Sequence, residues 1–152
     1  MEKKSKEYVL GFAFDKLREN VVLIEKNRPE WQKDKHNGVG GKVEEIDNSP
    51  VHAMVREFKE ETGCNTTIDD WNHFAIMSCE NDIMGGSSTI YSFRAFLDSE
   101  SLNQCTTMES ERVIKVEIFS ALQELKLINK VRYLIPMALE NDLDFVEIKM
   151  NK

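Results

Sequence analysis

The segment Arg56-Glu57-Phe58-Lys59-Glu60-Glu61-Thr62-Gly63-Cys64 sets three carboxylates at i, i+3 and i+4. In a helix, Glu57, Glu60 and Glu61 share one face. Like charges crowded there repel one another, and such a cluster is kept most readily with a cation over it. All-oxygen donors suit a hard divalent ion such as Mg²⁺, with Mn²⁺ as the alternative. Mg²⁺ sites commonly join one or two carboxylates to substrate phosphates.

The helix that must position them is legible around them. Val51, Met54, Val55 and Phe58 recur at the spacing of a buried stripe, pointing away from the glutamates. Ser49 suits the N-cap and Pro50 the first turn. Gly63 suits the left-handed residue that ends a helix. The pattern predicts a helix over Pro50 to Thr62, one side glued to a core and the other presenting carboxylates. Directly upstream, Asn37-Gly38-Val39-Gly40-Gly41-Lys42-Val43-Glu44 is glycine-rich. Glycines let a backbone approach a metal or a phosphate with no Cβ in the way.

The stretch from Gly41 to Cys64 resembles the Nudix box. That pattern is Gly, five residues, Glu, seven residues, then Arg-Glu-U-x-Glu-Glu-x-Gly-U, with U bulky and apolar. Gly41 matches the first glycine. Arg56, Glu57, Phe58, Glu60, Glu61, Gly63 and Cys64 fill the second half, with Cys64 a small version of U. One departure stands out: counted from Gly41, the first glutamate falls on Asp47, the spacing from there to Arg56 is one residue too long, and counted back from Arg56 it falls on Asn48. In the family this glutamate mainly supports the loop and its arginine, so Asp47 is the expected substitute, from a loop with a one-residue insertion.

The resemblance implies an α+β Nudix fold, a mixed β-sheet sandwiched between helices in α/β/α layers. It implies a metal site made of Glu57, Glu60, Glu61 and the Gly40 carbonyl, the residue just before the box glycine. Arg56 would orient the glutamates, in support of catalysis. Family members often supply a further carboxylate from a loop before a late strand, to take a proton or complete a second metal site. Here Glu109 and Glu111 are the candidates, beside Glu60. Asn37 lies where MutT-like members place a base-reading asparagine; its other reading is a turn asparagine before glycine. Lys26 matches a position that often holds a phosphate contact, and is otherwise a solvated surface lysine. Trp31 either stacks on a base or covers its own loop. Lys42 is a further substrate-binding candidate. His36, His52 and His73 show no metal spacing and receive no role.

Composition sets the frame. A chain of 152 residues, 41% hydrophobic and 31% charged, is expected to form a single domain over residues 1–152. No apolar run reaches membrane-spanning length, and the start MEKKSKEYVL lacks a signal-peptide core. Cys64, Cys79 and Cys105 are odd in number and lack ligand spacing, so they read as reduced thiols in a cytoplasmic protein. The net charge of −7 disfavours binding to long nucleic acid, yet small phosphates can be held by a few local cations and a metal. No membrane partner is expected, and the chain is expected to be a monomer or homodimer.

Along the chain, Tyr8–Phe14 reads as a strand with Val21–Glu25 as its hairpin partner, joined by a polar turn. Asn27–Asn37 reads as a polar loop, and a short strand follows within Gly38–Glu44. Strands are predicted in Trp71–Cys79 and Ile90–Leu97, with Asn81–Ser88 as the turn between them. Asp98–Arg112 reads as a polar loop and Val113–Phe119 as a strand. Ser120 is expected to cap a short helix, Ala121–Leu125. A longer helix is predicted over Val131–Glu140, with Val131, Leu134, Ile135 and Leu139 on its apolar face. Phe145–Met150 reads as a last strand.

The expected activity is Mg²⁺-dependent hydrolysis of a nucleoside diphosphate linked to a group X. A nucleoside or deoxynucleoside triphosphate, oxidised or not, is the first choice of substrate, giving a monophosphate and pyrophosphate. The only prolines are Pro29, Pro50 and Pro136, so the downstream proline typical of ADP-ribose hydrolases is missing. Tyr91 lies too far after the box for the tyrosine of diadenosine polyphosphate enzymes. ADP-ribose or dinucleoside polyphosphates are therefore the second choice. A non-catalytic nucleotide sensor is the third, disfavoured by the intact carboxylate set.

Overall fold

The computed structural model describes residues 5–80 and 86–150. Strand β1 (Lys6–Asp15) is the axis of the fold. Its apolar run is continuous because it is covered on both faces, and alternation assigns each side chain to one of them. Leu10, Phe12 and Phe14 enter one core cluster, whereas Val9 and Ala13 enter the other. Strand β2 (Asn20–Glu25) returns antiparallel, with Ala13 opposite Val22. Asp15 closes that turn by accepting the Glu19 and Asn20 N–H groups and the Asn20 amide.

Two short strands follow, β3 (His36–Asn37) against β2 and β4 (Val39–Lys42) against the first half of β1. After helix α1 (Pro50–Thr62) come β5 (Asn72–Cys79) and β6 (Ser88–Leu97). Strand β6 runs parallel to the whole of β1 and antiparallel to β5. The chain continues through α2 (Ser99–Asn103), β7 (Arg112–Glu117), α3 (Ile118–Gln123), α4 (Asn129–Leu139) and β8 (Val146–Met150). The sheet order is β3-β2-β1-β6-β5-β8, with β4 added to β1 and β7 added to β2. Residues of α1 and α2 share one core cluster and those of α3 and α4 the other, which gives the expected α/β/α layering. Among the described residues, no helix is long and apolar enough to cross a membrane.

Helix α1 has the predicted bounds. Gly63 ends it at φ 78, and its N–H reaches the Lys59 carbonyl. Ser49 holds the N-cap position, but its hydroxyl bonds the His52 ring instead of the helix backbone. The buried edge is Ala53, Met54, Phe58 and Thr62, while Val51 and Val55 flank it half-buried. Phe58 is fully buried and meets Trp71 edge-on at 5.1 Å. The helix lies close to β1 because Gly11 faces it: a Cβ there would be 2.5 Å from Met54 Sδ.

Several boundaries differ from the sequence reading. The Asn27–Asn37 loop contains a single 3₁₀ turn, Glu30–Gln32, and ends in β3. The Asp98–Arg112 loop contains α2, capped by Asp98 accepting the Ser101 N–H at 2.8 Å and anchored by buried Leu102. Strand β7 ends at Glu117, and α3 begins at Ile118 instead of Ala121. Glu117, not Ser120, is its cap, accepting the Phe119 and Ser120 N–H groups. Helix α4 starts two residues earlier than predicted, and Ala138 is buried beside Val131, Leu134 and Ile135. The predicted Asn81–Ser88 turn lies largely outside the described residues. Cys64 and Cys105 are buried thiols whose sulfurs stand 3.0 Å apart. Burial, with Cys64 adding to it, pushes the Cys105 thiol up to about 12, which opposes a nucleophilic role.

Since Phe58 docks α1, truncation to alanine should destabilise the chain by about 3–5 kcal/mol. Urea unfolding of Phe58→Ala against the parent measures this, and a loss below about 1 kcal/mol would show that α1 is held elsewhere.

Candidate functional site

The guanidinium of Arg56 organises the site. Nε donates to Asp47 Oδ1 at 2.9 Å, and Nη2 donates to Asp47 Oδ2 at 2.9 Å and to the Lys42 carbonyl at 3.0 Å. Nη1 donates to Glu57 Oε1 at 3.0 Å and to Glu60 Oε2 at 3.2 Å. These bonds match the five N–H groups that an arginine offers. Asp47 is almost wholly buried at 4% exposure, and its Oδ2 also accepts the Glu44 N–H. The Arg56 bonds hold its carboxyl below the usual range. Asp47 thus closes the longer loop onto α1, as the resemblance implied.

Glu57 is inserted under the glycine strand. A Cβ on Gly41 would stand 2.4 Å from the Glu57 carboxylate, so glycine at 41 lets Glu57 lie where it does. A Cβ on Gly40 would collide with the Val9 carbonyl, which keeps β4 tight against β1. Burial raises the Glu57 carboxyl to about 7. Arg56 opposes the rise, and the charges of Glu60 and Glu109 add to it. Burial raises Glu61 to about 8, with Glu57 adding to the rise, Lys26 opposing it, and Glu111 and Glu109 adding further. Glu61 Oε2 is buried and has no hydrogen-bond partner. Glu60 is half exposed, at 47%.

Four carboxylates thus act on one another around Glu61, and one of them has an orphaned oxygen. A hard divalent cation fits this donor set: it would satisfy Glu61 Oε2 and offset the repulsion. Glu57, Glu60 and Glu61 are the residues that would hold it. Among the described residues, no three acidic, histidine or cysteine side chains are gathered tightly enough to hold a metal ion as they stand. Arg56 engages Glu57 and Glu60 through one oxygen each, which leaves Glu57 Oε2 and Glu60 Oε1 without a hydrogen-bond partner among the described residues.

The loop candidates separate. Glu111 bonds Lys26 Nζ at 3.1 Å and accepts the Asn27 N–H at 2.8 Å, in a mostly buried pair. It therefore positions Lys26, and neither residue is a free surface charge. Glu109 is exposed and makes no hydrogen bond or ion pair among the described residues.

Lys26, Asn37, Gly40, Gly41 and Lys42 all line a cavity of about 390 Å³, and Gly41 packs against the Glu57 carboxylate. Asn37 Oδ1 accepts the Gly38 N–H at 2.8 Å, so its turn role and its place on the cavity coexist. Trp31 does not line the cavity: it is 54% exposed, with Lys35 Nζ 5.8 Å from its ring centroid. The cover for its own loop is the reading that remains. Lys130, from the first turn of α4, does line the cavity, and sequence reasoning missed it. It lies inside an apolar helical pattern about 90 residues after Asn37, and only its partnerless state in the fold marks it.

Comparison with known proteins agrees with this fold. The family model described as NUDIX domain matches residues 5–137. No curated protein matches the chain by sequence. Among solved structures, a MutT/nudix family protein from Enterococcus faecalis is 20% identical, with TM-score 0.64, over 77% of this chain and 45% of its own. This chain therefore spans less than half of that relative. The NUDIX domain of Shewanella oneidensis NrtR, complexed with ADP ribose, is 18% identical with TM-score 0.74 over 90% of this chain and 87% of its own. The Mutator MutT protein from Bacillus halodurans is 18% identical with TM-score 0.70, over 96% and 89%. At such identities the likeness is one of fold.

Two outcomes are expected from the raised carboxyls and from Gly41. Glu57 and Glu61 hold protons in the folded chain well above 4.5, the value for the unfolded one. Folding therefore takes up protons between those values, and the stability they contribute is lost as pH rises through about 7 and 8. A cation that binds the ionised pair offsets that loss. Thermal unfolding with and without Mg²⁺ should show a larger Mg²⁺ shift at about pH 8.5 than at about pH 6. Equal shifts would disprove the linkage. In Gly41→Ala the new methyl displaces Glu57, and Mn²⁺ affinity by calorimetry should fall about tenfold or more; an unchanged affinity would exclude Glu57 from the site.

Proposed function

This chain belongs to the Nudix family of pyrophosphohydrolases, and we propose that it cleaves a nucleoside diphosphate linked to a group X, with a nucleoside triphosphate as the preferred substrate. The observation that carries the reading is the orphaned, buried Glu61 oxygen among mutually repelling carboxylates, with a cavity of nucleotide size lined by the glycine strand that packs on Glu57. When bound, a divalent ion such as Mg²⁺ would neutralise phosphate charge and raise the acidity of the attacking water.

The chain's own residues supply the rest. Lys26, fixed by Glu111, presents its ammonium at the cavity edge beside the carboxylates, suited to a phosphate oxygen. Lys42 lines the same edge. Arg56 holds Glu57 and Glu60 in place and acts as a positioning residue. Glu109 is the carboxylate left to accept a proton from water, because Glu111 is committed to Lys26 and to the Asn27 N–H. The resulting products are a monophosphate and pyrophosphate.

The test is hydrolysis with Mg²⁺ across nucleoside triphosphates, ADP-ribose and dinucleoside polyphosphates, with products identified. Glu61→Gln and Glu60→Gln should each lower kcat by about a hundredfold or more, as expected when a metal-holding carboxylate is lost. Unchanged turnover in both would sink the metal assignment. Turnover of ADP-ribose alone would move the substrate to the second choice. Nucleotide binding with no turnover would leave a sensor.

A further inference from the structure

Lys130 is a half-buried cationic group that the reaction, as described, does not use. Three features of its placement disfavour a lysine. It lies half-buried on the cavity wall. It stands in the first turn of α4, where the helix dipole is positive and a cation is unfavourable. Among the described residues it makes no hydrogen bond or ion pair, and the titratable group that acts on it is the Cys79 thiol. Burial accordingly pulls its pKa down. A charge so poorly provided for within the chain is a mark of a group kept for a ligand.

The ligand it would take follows from hydrogen-bond chemistry. A lysine ammonium donates and cannot accept. Asn37, which lines the same cavity, has its Oδ1 engaged by the Gly38 N–H, while its amide NH₂ makes no hydrogen bond among the described residues and can turn to a ligand. Both side chains thus ask for acceptors. The phosphate end of the cavity is already provided for by Lys26, tied to Glu111 next to the carboxylate cluster.

We propose that Lys130 and Asn37 together select a base whose edge is rich in acceptors, a 6-oxopurine or a 4-oxopyrimidine, over the amino-bearing adenine and cytosine. The proposal rests on the nucleotide reading above and narrows it to oxo-bases. Adenine and cytosine would turn an N–H₂ donor toward two donors, leaving buried polar groups unpaired, and such mismatches discriminate strongly.

The test separates base choice from catalysis. Calorimetry of GMP, UMP, AMP and CMP without divalent ion keeps the phosphate constant, varies the base and needs no turnover. GMP and UMP are expected to bind at least about tenfold more tightly than AMP and CMP. In Lys130→Met that ratio should fall to within about threefold, and Lys130→Arg, which keeps the charge and the donors, should restore most of it. The melting temperature of Lys130→Met should be equal to or higher than that of the parent, because a partnerless buried cation is removed. Equal binding of the four monophosphates by the parent would overturn the proposal. So would a ratio that survives in Lys130→Met, which would make the lysine a phosphate contact or a structural residue. A chain that shows the preference yet hydrolyses nothing would keep this proposal and defeat the hydrolase reading.

Discussion

The site depends on one guanidinium. Arg56 uses its fork to join a loop, a strand end and a helix face, through Asp47, the Lys42 carbonyl and the two glutamates. No shorter or rounder cation could do this, because a lysine offers a point charge where these partners lie in several directions around a plane. The bidentate pair with Asp47 is also what absorbs the extra residue in the loop. An aspartate has one methylene fewer than the glutamate of the pattern, and the longer backbone makes up the reach.

Around that hub the fold accepts a local electrostatic penalty. Glu57 and Glu61 are drawn out of water by the close packing of α1 on β1 and β4, which Gly11 and Gly41 permit. Burial alone would neutralise them, and Arg56 and Lys26 pull the other way. The balance leaves two carboxyls poised near neutrality, a state a structural acidic patch has no reason to reach. A solvated helix face would have left all three glutamates as exposed as Glu60.

What was legible in the sequence was local. Helix α1 could be read to the residue because Pro50, the apolar stripe and Gly63 are all short-range signals, and its carboxylates follow from i, i+3, i+4 geometry. Sheet strands were found from their apolar runs, though α2 and the early start of α3 hid behind polar residues that turned out to be caps, Asp98 and Glu117. Long-range pairing was not legible. Lys26 and Glu111 were each picked as candidates, but their pairing across 85 positions is a product of β7 lying against β2. Trp31 was open between a base platform and a cover for its own loop, and only the fold shows that it does not line the cavity. Lys130 was invisible, since a lysine in a helical pattern is ordinarily solvated.

The segment carrying Glu109 and Glu111 shows how the fold divides two similar residues. Its backbone is tied to the end of α1, with the Thr106 N–H on the Thr62 carbonyl at 2.9 Å and the Met108 N–H on the Glu61 carbonyl at 3.3 Å. Those bonds bring Glu109 within electrostatic range of both Glu57 and Glu61. Two residues on, Glu111 closes the ion pair with Lys26, just before β7 begins. Glu111 is engaged by an ammonium and a backbone N–H, whereas Glu109 makes no hydrogen bond or ion pair among the described residues. The same loop therefore carries one carboxylate tied to Lys26 and one without a partner among the described residues, a division that residue type could not decide.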